Sequence, residues 1–322
     1  MVNQFKGNLA SATNDHRIRA IDSFRGVTVI FMVFFTMILP LSDSLPWPLI
    51  HGVPGTIRPG DFVLSMFLFA SGMSIVYFDR KRKTSKTYVL DIIERFGKFI
   101  LIWFFLSPLS AGEFLGMDEI MLNLLLFIPT LLLIKFSDNE LAITGLAIFI
   151  LYGLLQLAEV LPDFTVHYLG GYAGAIFYLP VMLAGVIAGR NIDKIKNYLL
   201  PIAILSILLL FIFPPYKNLV TPSFMAFSIL VSLIGFKLSE KLDIREIEYL
   251  GRDPIRYWVL MFVVLAMPLL LIVDRMGLDL PLQMDWQTAT ALTLAGVVAL
   301  YIISKIFDWF MAFVKEIEIV EG

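Results

Sequence analysis

Residues 17–35 read RIRAIDSFRGVTVIFMVFF. Asp22 and Arg25 stand three residues apart at the mouth of an apolar run that continues to Leu41. Sixteen residues beyond Phe35 comes His51, one of only three histidines, in a stretch rich in Pro and Gly. Whether the run is the core helix of a soluble domain or a membrane span decides the fold. Of the 322 residues, 58% are hydrophobic and 16% charged, and the mean hydropathy is +0.83. Soluble domains are about a quarter charged, so the chain reads as an integral membrane protein. The LPLSDS that follows the run lacks a small-x-small cleavage signal, and the run is expected to be retained as a helix, not removed as a signal peptide.

Cysteine is absent, which excludes a disulfide framework, a thiolate metal site and a cysteine nucleophile. No metal is expected. The balance of 25 basic and 27 acidic residues gives no electrostatic argument for a nucleic-acid partner.

Runs of about 20 apolar residues span a hydrocarbon core of ~30 Å. Ten such runs are present, near 24–41, 62–78, 95–112, 119–135, 141–161, 174–189, 198–214, 222–238, 255–273 and 288–307. With the N-terminus inside, 22 of the 25 Lys and Arg fall in inner segments, and only Arg58, Lys217 and Arg275 fall outside. Retained positive charge marks the cytoplasmic side, and a missed span would swap every later loop. The expected architecture is all-α: a polytopic integral membrane protein of about ten transmembrane helices, with both termini cytoplasmic. One transmembrane domain is expected over 1–322. With no other targeting signal, the plasma (inner) membrane is the expected location.

On this topology Asp22 and Arg25 sit at the cytoplasmic end of the first helix and His51 on the external side. From Arg25 to Thr36 the chain makes about three full helical turns, which puts both on one face roughly 16 Å apart. That face runs Arg25, Thr28 or Val29, Met32, Thr36, polar at each end, and is placed to line a narrow cavity reaching inward from the cytoplasm. The plainer reading is an interfacial Asp–Arg pair with a helix-packing threonine. His51 lies in the connector LPWPLIHGVPGTIRPGD, with Trp47 at the expected interface. Connectors of this length without elements of their own are commonly functional. Asp61 has an equally plain role as N-cap of the second helix.

Taken in order, Asp22, Phe24-Arg25-Gly26, Met32, the ten-residue interval from His51 to Asp61, and Gly72 with Ser74 make the chain resemble the transmembrane acyltransferases around heparan-α-glucosaminide N-acetyltransferase. LPVMLAGVIAGR at 179–190 and LGRDPIRYWVL at 250–260 echo the same family more weakly. The resemblance implies an acyltransferase that passes an acetyl group from cytosolic acetyl-CoA, the donor substrate, to an amino sugar or glycan on the far side of the bilayer. It implies His51 as the central catalytic residue and Asp61 as its partner. Thr36 stands where relatives carry Asn or His, and Met261 where relatives often carry a histidine. Such chemistry suits histidine, whose pKa near ~6.5 lets it take the proton of an attacking amine. Transient acylation of the imidazole is the alternative route.

Arg25, Arg95, Arg252 and Arg256, each near a helix end on the inner face, are the candidates for the donor's phosphates, with Asp22 beside Arg25. Arg80, Lys81, Arg82, Lys83 and Lys86 read as a topology anchor that also attracts anionic lipid. His167, Glu113, Asp118 and Glu159 read as solvated groups near the external face, and Asn123 and Gln156 as polar residues within spans. The partners expected are acyl-CoA, an external glycan and the lipid bilayer, with a homo-oligomer left open. The competing functions are a transporter or flippase using Gly- and Pro-interrupted helices, and an accessory membrane protein without chemistry. Few charged residues at mid-span, where coupling carboxylates belong, weigh against transport.

Overall fold

The computed structural model describes the backbone of residues 2–50, 56–82, 86–110, 118–158, 175–215 and 221–321, with side chains from 19 to 313 apart from 51–55, 81–85, 109–117, 159–174 and 216–220. Among these residues every regular element is helical. We number the α-helices α1 (Val2–Ile38), α2 (Val63–Arg82), α3 (Tyr88–Ser110), α4 (Glu119–Leu133), α5 (Asp138–Leu157), α6 (Leu179–Arg190), α7 (Ile195–Leu210), α8 (Pro222–Ser239), α9 (Arg245–Arg252), α10 (Pro254–Met276, with a π-helical turn at Met261–Ala266) and α11 (Trp286–Glu321).

Local chemistry sets the helix ends. Asp118 begins α4 by accepting the Met121 N–H at 2.8 Å, and Thr221 begins α8 by accepting the Phe224 N–H at 3.4 Å. Ser137 and Glu140 form a capping box at α5. Gly277 closes α10 in the left-handed conformation, with φ +63°, which a residue without Cβ adopts freely.

Among the described residues the apolar runs fall largely on helices, but the run at 119–135 gives a helix of only 15 residues, short of a span by itself. Six segments of the described residues are long and apolar enough by themselves to cross a membrane: 19–38, 59–80, 138–157, 222–239, 254–276 and 286–313. Neither of the helices Ala175–Arg190 and Ile192–Leu210 is long and apolar enough to be a span by itself. They form a pair bent by 103° and count as a seventh crossing if taken together. The break falls at Asn191, whose φ −126° and ψ 44° leave the helical region. Residues 245–252, read only as an inner connector, form a helix of their own, α9.

The core has two parts that share α1. In one, α2 packs against α6 and α8, and Phe24 of α1 meets Phe69 and Phe236 edge to face at 6.1 and 5.9 Å. In the other, Val29, Met32 and Val33 pack with Leu250, Trp258, Met261 and Leu300. Small residues let these helices touch backbone to backbone, as membrane helices commonly do. A Cβ on Gly72 would lie 2.1 Å from the Met182 carbonyl oxygen, and one on Gly185 2.1 Å from that of Phe69. Across α1 and α9, a Cβ on Gly26 would lie 1.9 Å from the Ile247 oxygen. Outward faces such as Leu151 and Leu154 on α5, and Ile302 and Ile306 on α11, carry exposed large apolar side chains, the surface that a hydrocarbon environment favours.

Candidate functional site

α1 and α2 run antiparallel along one side of a cavity of about 740 Å³, with α3, α4 and α10 on the other sides. On α1 its lining runs from Arg25 through Met32 and Phe35 to Thr36 and Leu39; on the α2 side it runs from Gly60 to Phe78. The rise from Arg25 to Leu39 is roughly 21 Å, a large part of a hydrocarbon core of ~30 Å. One end is basic: Arg25, Arg95, Lys98 and Arg252 line it together with Asp91, Glu94 and Asp253. The middle is apolar, with Phe67, Leu124, Phe127, Trp258 and Met261. The far end holds Thr36, Gly60 and Glu119. Between the ends, Asn123 on α4 donates to the Ser71 hydroxyl on α2 at 3.0 Å, a polar joint in the cavity wall.

Packing assembles the basic end. A Cβ at Gly251 would sit 1.8 Å from the Asp22 carbonyl oxygen. This contact and its counterpart at Gly26 hold α9 against the Asp22–Gly26 turn of α1 and deliver Arg252 to the mouth that Arg25 lines. The Arg25 guanidinium is bonded to the Asp22 carboxylate through Nη2, while its buried Nε has no hydrogen-bond partner among the described residues. Arg95 lies over the Phe78 ring at 4.7 Å, an arrangement that restrains a guanidinium without neutralising it. The exposed Glu94 carboxyl is held below its ordinary value, first by the hydrogen bond from Lys98 and then by that ammonium's charge.

The residues singled out from the sequence are placed differently. Arg25, Arg95, Arg252 and Thr36 line the one cavity, with Asp22 paired to Arg25. Asp61 is buried next to the lining residue Gly60, and its Oδ2 accepts the Arg58 backbone N–H at 3.0 Å, the capping geometry of the turn Pro59–Phe62 that leads into α2. Arg256 is turned elsewhere: it contacts Asp308 at 2.7 Å, Asp253 at 3.4 Å and the Ser304 hydroxyl at 3.2 Å, and is not among the lining residues. The helix break at Asp253–Pro254 takes it off the face that carries Arg252. His51, Glu113, Glu159 and His167 lie outside the described residues. Asp118, read as solvated, is fully buried as the cap of α4.

The weaker sequence echoes also have physical explanations. Arg190 of AGR clamps the turn between α4 and α5, donating to the Phe136 carbonyl at 2.7 Å and to Asp138 at 2.9 Å. Asn191 donates to the other oxygen of Asp138 at 2.6 Å. In LGRDPIRYW, Gly251 packs, Arg252 and Trp258 line the cavity, and Arg256 ties α10 to α11.

Sequence reasoning missed Ser71, Lys98, Glu119 and Trp258 as lining residues. It also passed over Arg58, which is 8% exposed with Nε and Nη1 lacking partners among the described residues. Only contacts between distant helices identify these. A legible signal was missed in α9, where Arg245, Glu248, Tyr249 and Arg252 follow the i, i+3, i+4, i+7 spacing of one helix face. Burial, and then the Asp308 carboxylate that accepts its hydrogen bond, push the Tyr249 phenol above its ordinary pKa.

Residues 17–201 match the family described as heparan-alpha-glucosaminide N-acetyltransferase, catalytic. The matched span holds Arg25, Thr36, His51, Asp61 and Arg95, whereas Arg252 lies beyond it. Among curated proteins nothing matches the chain.

Proposed function

The chain belongs to the heparan-α-glucosaminide N-acetyltransferase catalytic family, and on that premise we propose that it moves an acetyl or other acyl group from cytosolic acyl-CoA to an amino sugar or glycan on the opposite side of the membrane. The observation that carries this reading is the cavity itself. Three arginines sit at one end, a polar threonine and the turn preceding α2 at the other, and an apolar passage lies between. The arginine forks suit phosphate, and the apolar middle suits an uncharged thioester-bearing arm. The basic end is then the cytoplasmic one, in keeping with 22 of the 25 Lys and Arg on that side of a ten-crossing, single-domain topology with both termini inside.

The reaction needs little from the protein beyond placement and a proton acceptor. The amine nitrogen attacks the thioester carbonyl carbon, the C–S bond breaks, and the sulfur leaves as CoA thiolate. His51 removes the proton that the nitrogen must lose, and the thiolate is protonated to the free thiol, so that one amide and one CoA thiol form per turnover. Asp61, besides capping its turn, orients the imidazole and stabilises its protonated form, as a carboxylate does in a Ser-His-Asp arrangement.

The test uses the purified chain reconstituted in vesicles with acetyl-CoA on one side and glucosamine on the other. Release of CoA thiol only when both are present is expected. Movement of the sugar across the membrane with no thioester loss would overturn this reading in favour of transport.

A further inference from the structure

Beside the large cavity lies a second hollow of about 430 Å³, walled by the polar face of α9, the start of the described part of α1, and α11. Its cations are Arg19, Arg245, Arg252 and Lys305; its acids are Asp243 and Glu248. Arg252 lines both spaces. The hollow therefore adjoins the basic end of the cavity through one shared guanidinium.

We propose that this hollow is a phosphate subsite that holds the phosphorylated nucleotide end of the acyl-CoA donor while the thioester arm lies in the larger cavity; this rests on the acyl-CoA reading above. Its four cations outnumber its two acids, and among the described residues none of the four makes a salt bridge, whereas the neighbouring Arg256 makes two. Lys305 is held at the wall by the faces of Tyr249 at 3.7 Å and Tyr301 at 5.6 Å. That contact positions an ammonium without a salt bridge, although Asp308 one turn further on also feels its charge. Arg245 and Arg252 are seven residues apart on one helix, so their forks face the same space one above the other. Two forks and an ammonium lining one hollow match a polyanion better than a single carboxylate. Helix α9 is held in place by Gly251 against Asp22 and by Gly26 against Ile247, which makes the subsite a preformed part of the bundle end. A lipid headgroup offers the same phosphate chemistry, and the experiment separates the two sources.

Binding of CoA, of S-acetylpantetheine, which lacks the nucleotide, and of inorganic pyrophosphate is measured on purified wild-type protein and on the Arg245→Gln/Lys305→Gln double variant. Loss of two charge-assisted contacts is expected to weaken CoA about tenfold or more, to abolish competition by pyrophosphate, and to leave S-acetylpantetheine binding unchanged. The last measurement also shows that the variant is folded around an intact cavity; if the double variant fails to fold, Arg245→Lys/Lys305→Arg, which keeps both charges, and Arg245→Gln alone take its place. Unchanged CoA affinity in a folded variant overturns the assignment. Loss of co-purifying anionic phospholipid with CoA affinity unchanged overturns it too, in favour of a headgroup site. A wild-type protein that binds no CoA at all sinks the donor reading itself and this assignment with it, an outcome distinct from CoA binding that is indifferent to Arg245 and Lys305.

Discussion

Gly251 lies on the backbone of Asp22 so closely that an added Cβ would sit 1.8 Å from the Asp22 carbonyl oxygen and 2.6 Å from the Gly26 nitrogen. Both obstacles are backbone and neither can rotate aside. Gly251→Ala must lift α9 from α1, an overpacking that typically costs about 1–3 kcal/mol, and it separates Arg252 from Arg25. A lower thermal midpoint and weaker CoA binding are expected together. Gly97→Ala, where a Cβ meets nothing within 4 Å, is the control and should melt at or slightly above the wild-type temperature. If Gly251→Ala melts like the wild type, the close packing is not what assembles the basic end.

Arg25→Gln should raise the acyl-CoA dissociation constant roughly 10- to 100-fold, the consequence of losing a charge-assisted hydrogen bond worth ~1.5–3 kcal/mol. Arg256→Gln should lower thermal stability and leave the donor affinity alone, because its partners are Asp253, Asp308 and Ser304 and it does not line the cavity. Calorimetric titration of both variants with CoA tells them apart. Equal loss of affinity in the two would show that the lining residues do not define the donor site.

His51→Ala is expected to abolish acyl transfer while CoA still binds, because the proposed function puts the phosphates and the reacting amine at opposite ends of the passage. Retained turnover in this variant would falsify the catalytic assignment.

Asp61 has a capping role in the structure and a catalytic one in the proposal, and one substitution divides them. Asn can still accept the Arg58 N–H that Asp61 Oδ2 now accepts at 3.0 Å, so Asp61→Asn should fold normally. Its turnover should nevertheless fall by orders of magnitude, as when a carboxylate that orients a catalytic histidine is neutralised. Asp61→Ala should in addition lose about 0.5–2 kcal/mol of stability with the cap. Full activity in Asp61→Asn would leave the residue with the cap alone.

The chain has no cysteine, so single introduced cysteines report sidedness without background. Ser44, exposed between α1 and the turn at Trp47–Leu49, should react with an impermeant maleimide from outside intact cells. A cysteine at the exposed Lys86 should be protected. The reverse pattern would put the basic end of the cavity outside and remove cytosolic CoA as the donor.

Helix content and membrane character were legible because both follow from near neighbours in the chain: apolar runs of span length and a cap such as Asp61 before the second helix. The shared face of Arg25 and Thr36 followed from helical period alone, and both line one cavity. Tertiary contact decided which arginines share a mouth. Arg252 reaches Arg25 through glycines on two helices more than 200 residues apart in sequence, while Arg256, only four residues on, is captured by Asp308 of α11. The break at Asp253–Pro254 between them is local, but which distant group each arginine then meets depends on which helix comes close enough to touch. The 103° bend at Asn191 and the burial of Asp118 have the same origin. Periodicity and composition act along the chain, whereas cavities, ion-pair partners and bends are settled by packing between helices.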